Sequence, residues 1–151
     1  MTKLVEKQQM NLIAQNRKAR YNYTILDTWE AGIKLVGIEV KALRQGNISL
    51  DESYIRVKDN KVLLVNCSIN PSKIPSWQEY DHRRPRTLLL KRAQISKLET
   101  ALQKGCTIVP LKIYFNNRGL AKLQIGTAKG KKLHDKRQAI RDRDLKRYGQ
   151  L

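Results

Sequence analysis

No apolar run in this chain approaches the ~18 residues that a membrane-crossing helix needs. The opening stretch, MTKLVEKQQMNLIAQNRKAR, holds no apolar block long enough for a secretory signal, so a cytoplasmic location is expected. Cysteine is scarce. Cys67 and Cys106 sit in apolar, strand-like runs without CxxC spacing, which reads as two buried small hydrophobes rather than a metal site or a disulfide. There are two histidines, His82 and His134, and no GxSxG, HExxH or P-loop sequence. No catalytic constellation, metal or cofactor is therefore expected. Carboxylates are few, 13 against 31 Lys and Arg, and pairs such as Asp51-Glu52 fall where turns are expected. The formal charge of +18 is a self-repulsion that a domain of 151 residues gains nothing from alone. A polyanionic partner explains it, and nucleic acid is a commoner one than a membrane surface.

What is present is organised around Tyr21 to Gly46, YNYTILDTWEAGIKLVGIEVKALRQG. Tyr21, Tyr23, Ile25, Trp29, Ala31, Ile33 and Leu35 share one parity, and Glu30 and Lys34 lie on the other. That alternation predicts a long strand with one buried and one wet face, with Gly32 as the place to bend or bulge. From Gly37 the period is helical, with Ile38, Ala42 and Leu43 on one face, Glu39, Lys41 and Arg44 largely off it, and Gly46 as the stop.

Residues 1–12 read as a flexible N-terminus, followed by a basic segment through Arg17, Lys18 and Arg20. This is either a solvated arm or a phosphate contact. Ser53 to Lys58 and Lys61 to Ile69 predict strands joined by a tight Asp59-Asn60 turn. The stretch PSKIPSWQEYDHRRP, 71–85, predicts an irregular loop that is either functional or mobile. Thr87 to Leu90 is a brief apolar run. Ile95, Leu98 and Leu102 then mark a helix ending at Gly105, and Thr107, Val109, Leu111, Ile113 and Phe115 alternate along a strand. A turn at residues 116–119 leads to a return strand through Ala121, Leu123 and Ile125. The expected architecture is mainly β: an OB-like antiparallel Greek-key barrel over 13–128 with two to three short helices.

Residues 129–151 change character, with nine basic and three acidic residues and little apolar content. As a helix, Lys132, Lys136, Arg143, Lys146 and Arg147 would share one stripe. A tail disordered when free and helical on a polyanion is expected. Aromatics in the first strand share the apolar parity, which speaks against a single-strand stacking platform and for shape and phosphate recognition.

The blocks IAQNRKA, WEAGIKLVGIEVKALRQG, DESY, RTLLLKR, VPLKIYFNNRG and GKKLHDKR together resemble the bacterial transfer-messenger RNA-binding family (the SsrA-binding proteins). The resemblance implies an OB-fold that binds the tRNA-like domain of transfer-messenger RNA, no enzymatic activity, and entry into the A site of stalled ribosomes. Elongation factor Tu would join the delivery complex, with the protein monomeric and off the membrane. Matched by motif position, Asn16, Glu30 and Leu89 would belong to the RNA surface, with Arg17, Lys18, Lys34, Arg84 and Arg86 as basic contributors. Lys129, Lys131, Lys132, His134, Asp135, Lys136, Arg137, Arg141 and Arg143 would form the tail that engages the decoding centre and the empty mRNA channel. The rival readings are a resident ribosomal protein, separable by retention on subunits through a high-salt wash, and an RNA-processing enzyme, for which no nucleophile or metal site is visible.

Overall fold

The structure is a computed structural model that describes residues 11–130. The expectations for residues 1–10, and for the tail from residue 131 onward, lie outside these residues. Nine strands and three helices follow in order among them. They are β1 (Leu12–Gln15), α1 (Arg17–Asn22), β2 (Tyr23–Ile33), α2 (Gly37–Arg44), β3 (Ile48–Ser49), β4 (Tyr54–Lys58), β5 (Lys61–Val65), β6 (Ser68–Ile69), β7 (Arg86–Leu89), α3 (Arg92–Gln103), β8 (Thr107–Phe115) and β9 (Ala121–Gly130).

Seven strands form one antiparallel sheet in the order β1-β8-β9-β2-β7-β5-β4, and β3 pairs with β6 separately. The sheet curls until Cα atoms of β4 come within 8 Å of β8, yet no ladder joins those strands. The barrel is therefore not sealed by hydrogen bonds, which corrects the expectation of closure. Helix α3 packs against both strands at that seam, burying Leu98 completely.

The hairpin between β4 and β5 turns on Asp59 and Asn60 at φ 52° and 61°, the left-handed pair that a two-residue type I′ turn requires. Asn66, at φ 63°, ends β5 and sends the chain into β6, so the expected single strand through Ile69 is two. Gly46 and Gly105 sit just past α2 and α3 with positive φ, where a residue with a Cβ would be strained.

Two differences from the sequence reading have one physical source, the β-bulge. In β2 the register shifts between Ile25 and Asp27, opposite Ala128 and Thr127, and not at Gly32. In β8 it shifts between Pro110 and Lys112. Each bulge switches the face that following side chains occupy. The apolar parity of each strand, interrupted in β2 by Asp27, consequently serves two clusters. Ala31, Ile33, Ile113, Leu123 and Ile125 belong to the main core with Ala42, Leu43 and Leu98. Val109, Leu111 and Ala128 form a smaller cluster with Ala19, against which Tyr23 and Ile25 pack. Gly126 lies on β9 between the two bulged strands: a Cβ there would stand 3.1 Å from both Ile25 Cγ2 and Leu111 Cδ1.

The smaller cluster exists because α1 exists. Tyr21 and Asn22, expected at the start of the long strand, are instead its last residues. Leu102, expected on the buried face of α3, is exposed.

Candidate nucleic-acid interface

Helix α1 is set on the sheet by Asn16. Its side-chain oxygen accepts the Ala19 amide at 3.3 Å, and its Nδ2 donates to the Pro110 carbonyl at 3.0 Å. Its own amide donates to the Leu111 carbonyl at 2.8 Å. This is an N-cap tied to a neighbouring strand. Asn16 is only 7% exposed, so the side chain expected to meet RNA is engaged in holding α1. The helix in turn presents Arg17, Lys18 and Arg20, all exposed.

A groove of about 270 Å³ runs beside α1, lined by Gln15, Arg17, Arg20, Leu111, Lys112 and Gln124. Gln124 is the cross-strand partner of Glu30, so the groove leads to the outer face of β2. Farther along, Gly32 pairs with Leu89, and a Cβ on Gly32 would lie 3.2 Å from Leu89 Cβ. Leu89 therefore stands on the same face as Glu30, and it is 54% exposed. Lys34 is exposed next to it, its amide bonded to the Thr87 carbonyl at 2.9 Å. The sheet thus gathers Glu30, Leu89 and Lys34 onto one surface, and the groove joins that surface to Arg17.

One residue of this face was missed in the sequence. The Tyr114 hydroxyl donates to Glu30 Oε2. Burial, the hydrogen bond to Glu30 and that carboxylate's charge together push the phenol far above the ordinary tyrosine range. The available signal was the parity of VPLKIYF, in which Tyr114 falls with Lys112 and off the apolar residues.

Arg84 and Arg86 are elsewhere. Glu39 and Arg86 are each 0% exposed. Arg86 Nε and Nη2 lie 2.9 and 2.7 Å from Glu39 Oε2, and Nη1 donates to the Cys67 carbonyl. Arg84 Nη2 pairs with Oε1 of the same carboxylate, and the Val36 amide donates to that oxygen at 3.0 Å. The Tyr80 hydroxyl lies 2.9 Å from Glu39 Oε2. The cluster buries Glu39, expected only to lie largely off the apolar face of α2, and it takes Arg86 away from the surface where it was expected to contact RNA, because its guanidinium neutralises a buried charge. Arg84 keeps 32% of its side-chain exposure.

The cluster also accounts for the 71–85 stretch, which is irregular yet pinned: Tyr80 and Arg84 hold it to α2, and Ser72 bonds Gln45 at 3.2 Å. Burial alone would raise the Glu39 carboxyl, but the Val36 amide, Arg84 and Arg86 outweigh it and hold the group below the ordinary glutamate value. Burial, then Glu39 as hydrogen-bond partner and charge, pushes Tyr80 up to about 12. Cys67 is pushed up to about 11, chiefly by burial. Both cysteines are buried free thiols. No group of His, Cys, Asp and Glu among the described residues is arranged to hold a metal ion.

Lys129, opposite Thr24, lines a cleft of about 400 Å³ with Trp29, Lys97 and Lys104. The other expected tail residues, Lys131 to Arg143, lie outside the described residues.

The family model described as SmpB protein matches residues 13–150. The SsrA-binding protein of Caulobacter vibrioides is 50% identical over 136 residues, covering 89% of this chain and 90% of its own. That of Chlorobaculum tepidum is 49% identical over 133 residues, covering 87% and 85%. Among solved structures, a chain from a description of tmRNA-SmpB at the centre of the bacterial ribosome is 46% identical. It superposes with a TM-score of 0.67 over 85% of this chain and 94% of that one. The blocks that carried the resemblance are thus part of a match along nearly the whole length, and the chain belongs to the SmpB family of SsrA-binding proteins.

Proposed function

We propose that this protein is the non-enzymatic adaptor of trans-translation in its cell. It binds the tRNA-like domain of transfer-messenger RNA and carries it to the A site of stalled ribosomes. Membership of the SsrA-binding family across residues 13–150 is the observation that carries this reading. The outer face supports it, since Arg17, Lys18 and Lys34 supply phosphate contacts while Glu30 and Leu89 supply a directed acceptor and an apolar contact on one surface. The curled sheet serves as an OB-type barrel whose outer side reads RNA by shape. Lys129 to Arg143 enter the decoding centre and the empty mRNA channel, and elongation factor Tu accompanies a cytoplasmic, monomeric protein in delivery.

The test is a filter-binding titration of the full chain with a tRNA-like-domain transcript and with an unrelated structured RNA of equal length. Preference for the former by tenfold or more, about 1.4 kcal/mol, supports the reading. Equal affinity for both RNAs would leave only charge-driven binding.

A further inference from the structure

Glu30 is a carboxylate on a basic face. Lys112 and Lys122 stand on the strands beyond it, and Lys34 lies farther along the chain. Yet Glu30 forms no ion pair among the described residues, where both ion pairs end on Glu39. Its protein partner is neutral, the hydroxyl of Tyr114. Tyr114 pairs with Lys122, which pairs in turn with Gly32, two residues from Glu30. The phenol therefore reaches diagonally across β9 on the outer face. Tyr114 is 7% exposed, so its ring is packed against the protein, whereas Glu30 is exposed.

We propose that Tyr114 is a positioning residue for RNA. Its hydroxyl fixes Oε2 of Glu30, leaving Oε1 and the remaining lone pairs to accept from a base amino or imino group or a ribose hydroxyl. The inference rests on the reading of Glu30 as an RNA contact. Three physical points carry it. A carboxylate has about four acceptor sites, and one phenol occupies one of them. A free glutamate side chain samples many rotamers, and fixing them before binding removes a cost from association. A neutral donor orients the carboxylate without cancelling its charge. An ion pair with Lys112 or Lys122 would spend that charge and leave less for a charge-assisted bond to RNA.

The test is a double-mutant cycle on the full chain, with the tRNA-like-domain transcript as probe. Its proteins are the parent, Glu30→Ala, Tyr114→Phe and the double variant. Tyr114→Phe keeps the ring, and a thermal melt checks that it folds. The expected result is about 3- to 10-fold weaker binding for Tyr114→Phe, with an unchanged salt slope because no basic group is lost. In the Glu30→Ala background the same change should cost nothing further. An equal loss in both backgrounds overturns the proposal, since the Tyr114 hydroxyl then acts independently of Glu30. Parental affinity for Tyr114→Phe beside weakened Glu30→Ala also overturns it, while sparing the RNA reading. Undiminished binding by Glu30→Ala overturns that reading and this inference with it.

Discussion

Glu39 and Arg86, 47 positions apart, form a wholly buried ion pair with a separation of 2.7 Å between Oε2 and Nη2. It joins α2 to the strand that follows the irregular 71–85 stretch. Removing one partner strands the other's charge in the interior, so Glu39→Ala or Arg86→Ala should each cost about 3–5 kcal/mol. The double variant should cost less than the two losses combined. Urea denaturation of the three variants measures this, and additive losses would show that the pair is not coupled.

The same carboxylate sets an acid limit. Its folded pKa is depressed, so its stabilisation is complete above the ordinary value of 4.5 and lost as pH falls through the folded value. Unfolding free energy should decline as pH falls below about 4.5. The decline should be shallower in Glu39→Gln. An identical pH slope in both proteins would assign the acid limit to other groups.

Much of the frame was legible in sequence because it depends on local chemistry. Asp59-Asn60 can adopt positive φ, Gly46 and Gly105 end helices, and an alternating run marks a strand whatever it pairs with. The rest depends on partners distant in the chain. The bulge at Leu26 is defined by what lies opposite it in β9, and it divides one apolar parity between two clusters. Glu39 showed only as a residue off the apolar face of α2 until Arg84 and Arg86 were placed against it, and Arg86 was read as an RNA contact because its buried partner lies 47 positions away. At the candidate site, Glu30, Lys34 and Leu89 were found from parity and motif. Tyr114 and the groove beside Arg17 required the register.

The Tyr114 phenol carries its own signature. Its pKa is raised by burial, and further by the hydrogen bond and charge of Glu30. Glu30→Gln should lower it, since the neighbouring negative charge is lost. Carbon-13 spectra of ring-labelled tyrosine, assigned with Tyr114→Phe, follow the titration. An unmoved titration would mean that the two groups do not interact in solution.

Binding and rescue should separate at the tail. Ending the chain after Gly130 removes eight of the 31 basic residues and none of the described strands. Cooperative melting should persist, and affinity for the tRNA-like domain should fall modestly, while tagging of stalled products is lost. Replacing Asp135, Lys136 and Arg137 with alanine changes net charge by only one. Tagging should nonetheless fail if these side chains make specific contacts, and survive if positive charge alone suffices.

The RNA that the protein carries in its own cells decides whether it is an adaptor for transfer-messenger RNA. The full chain should be affinity-purified from its own cells at moderate salt, and the bound RNA sequenced without amplification bias. One dominant species is expected, the transfer-messenger RNA, reduced by Glu30→Ala although that change makes the protein more positive. A mixture that follows cellular abundance and rises with Glu30→Ala would contradict it, since bulk charge would then explain everything the protein binds.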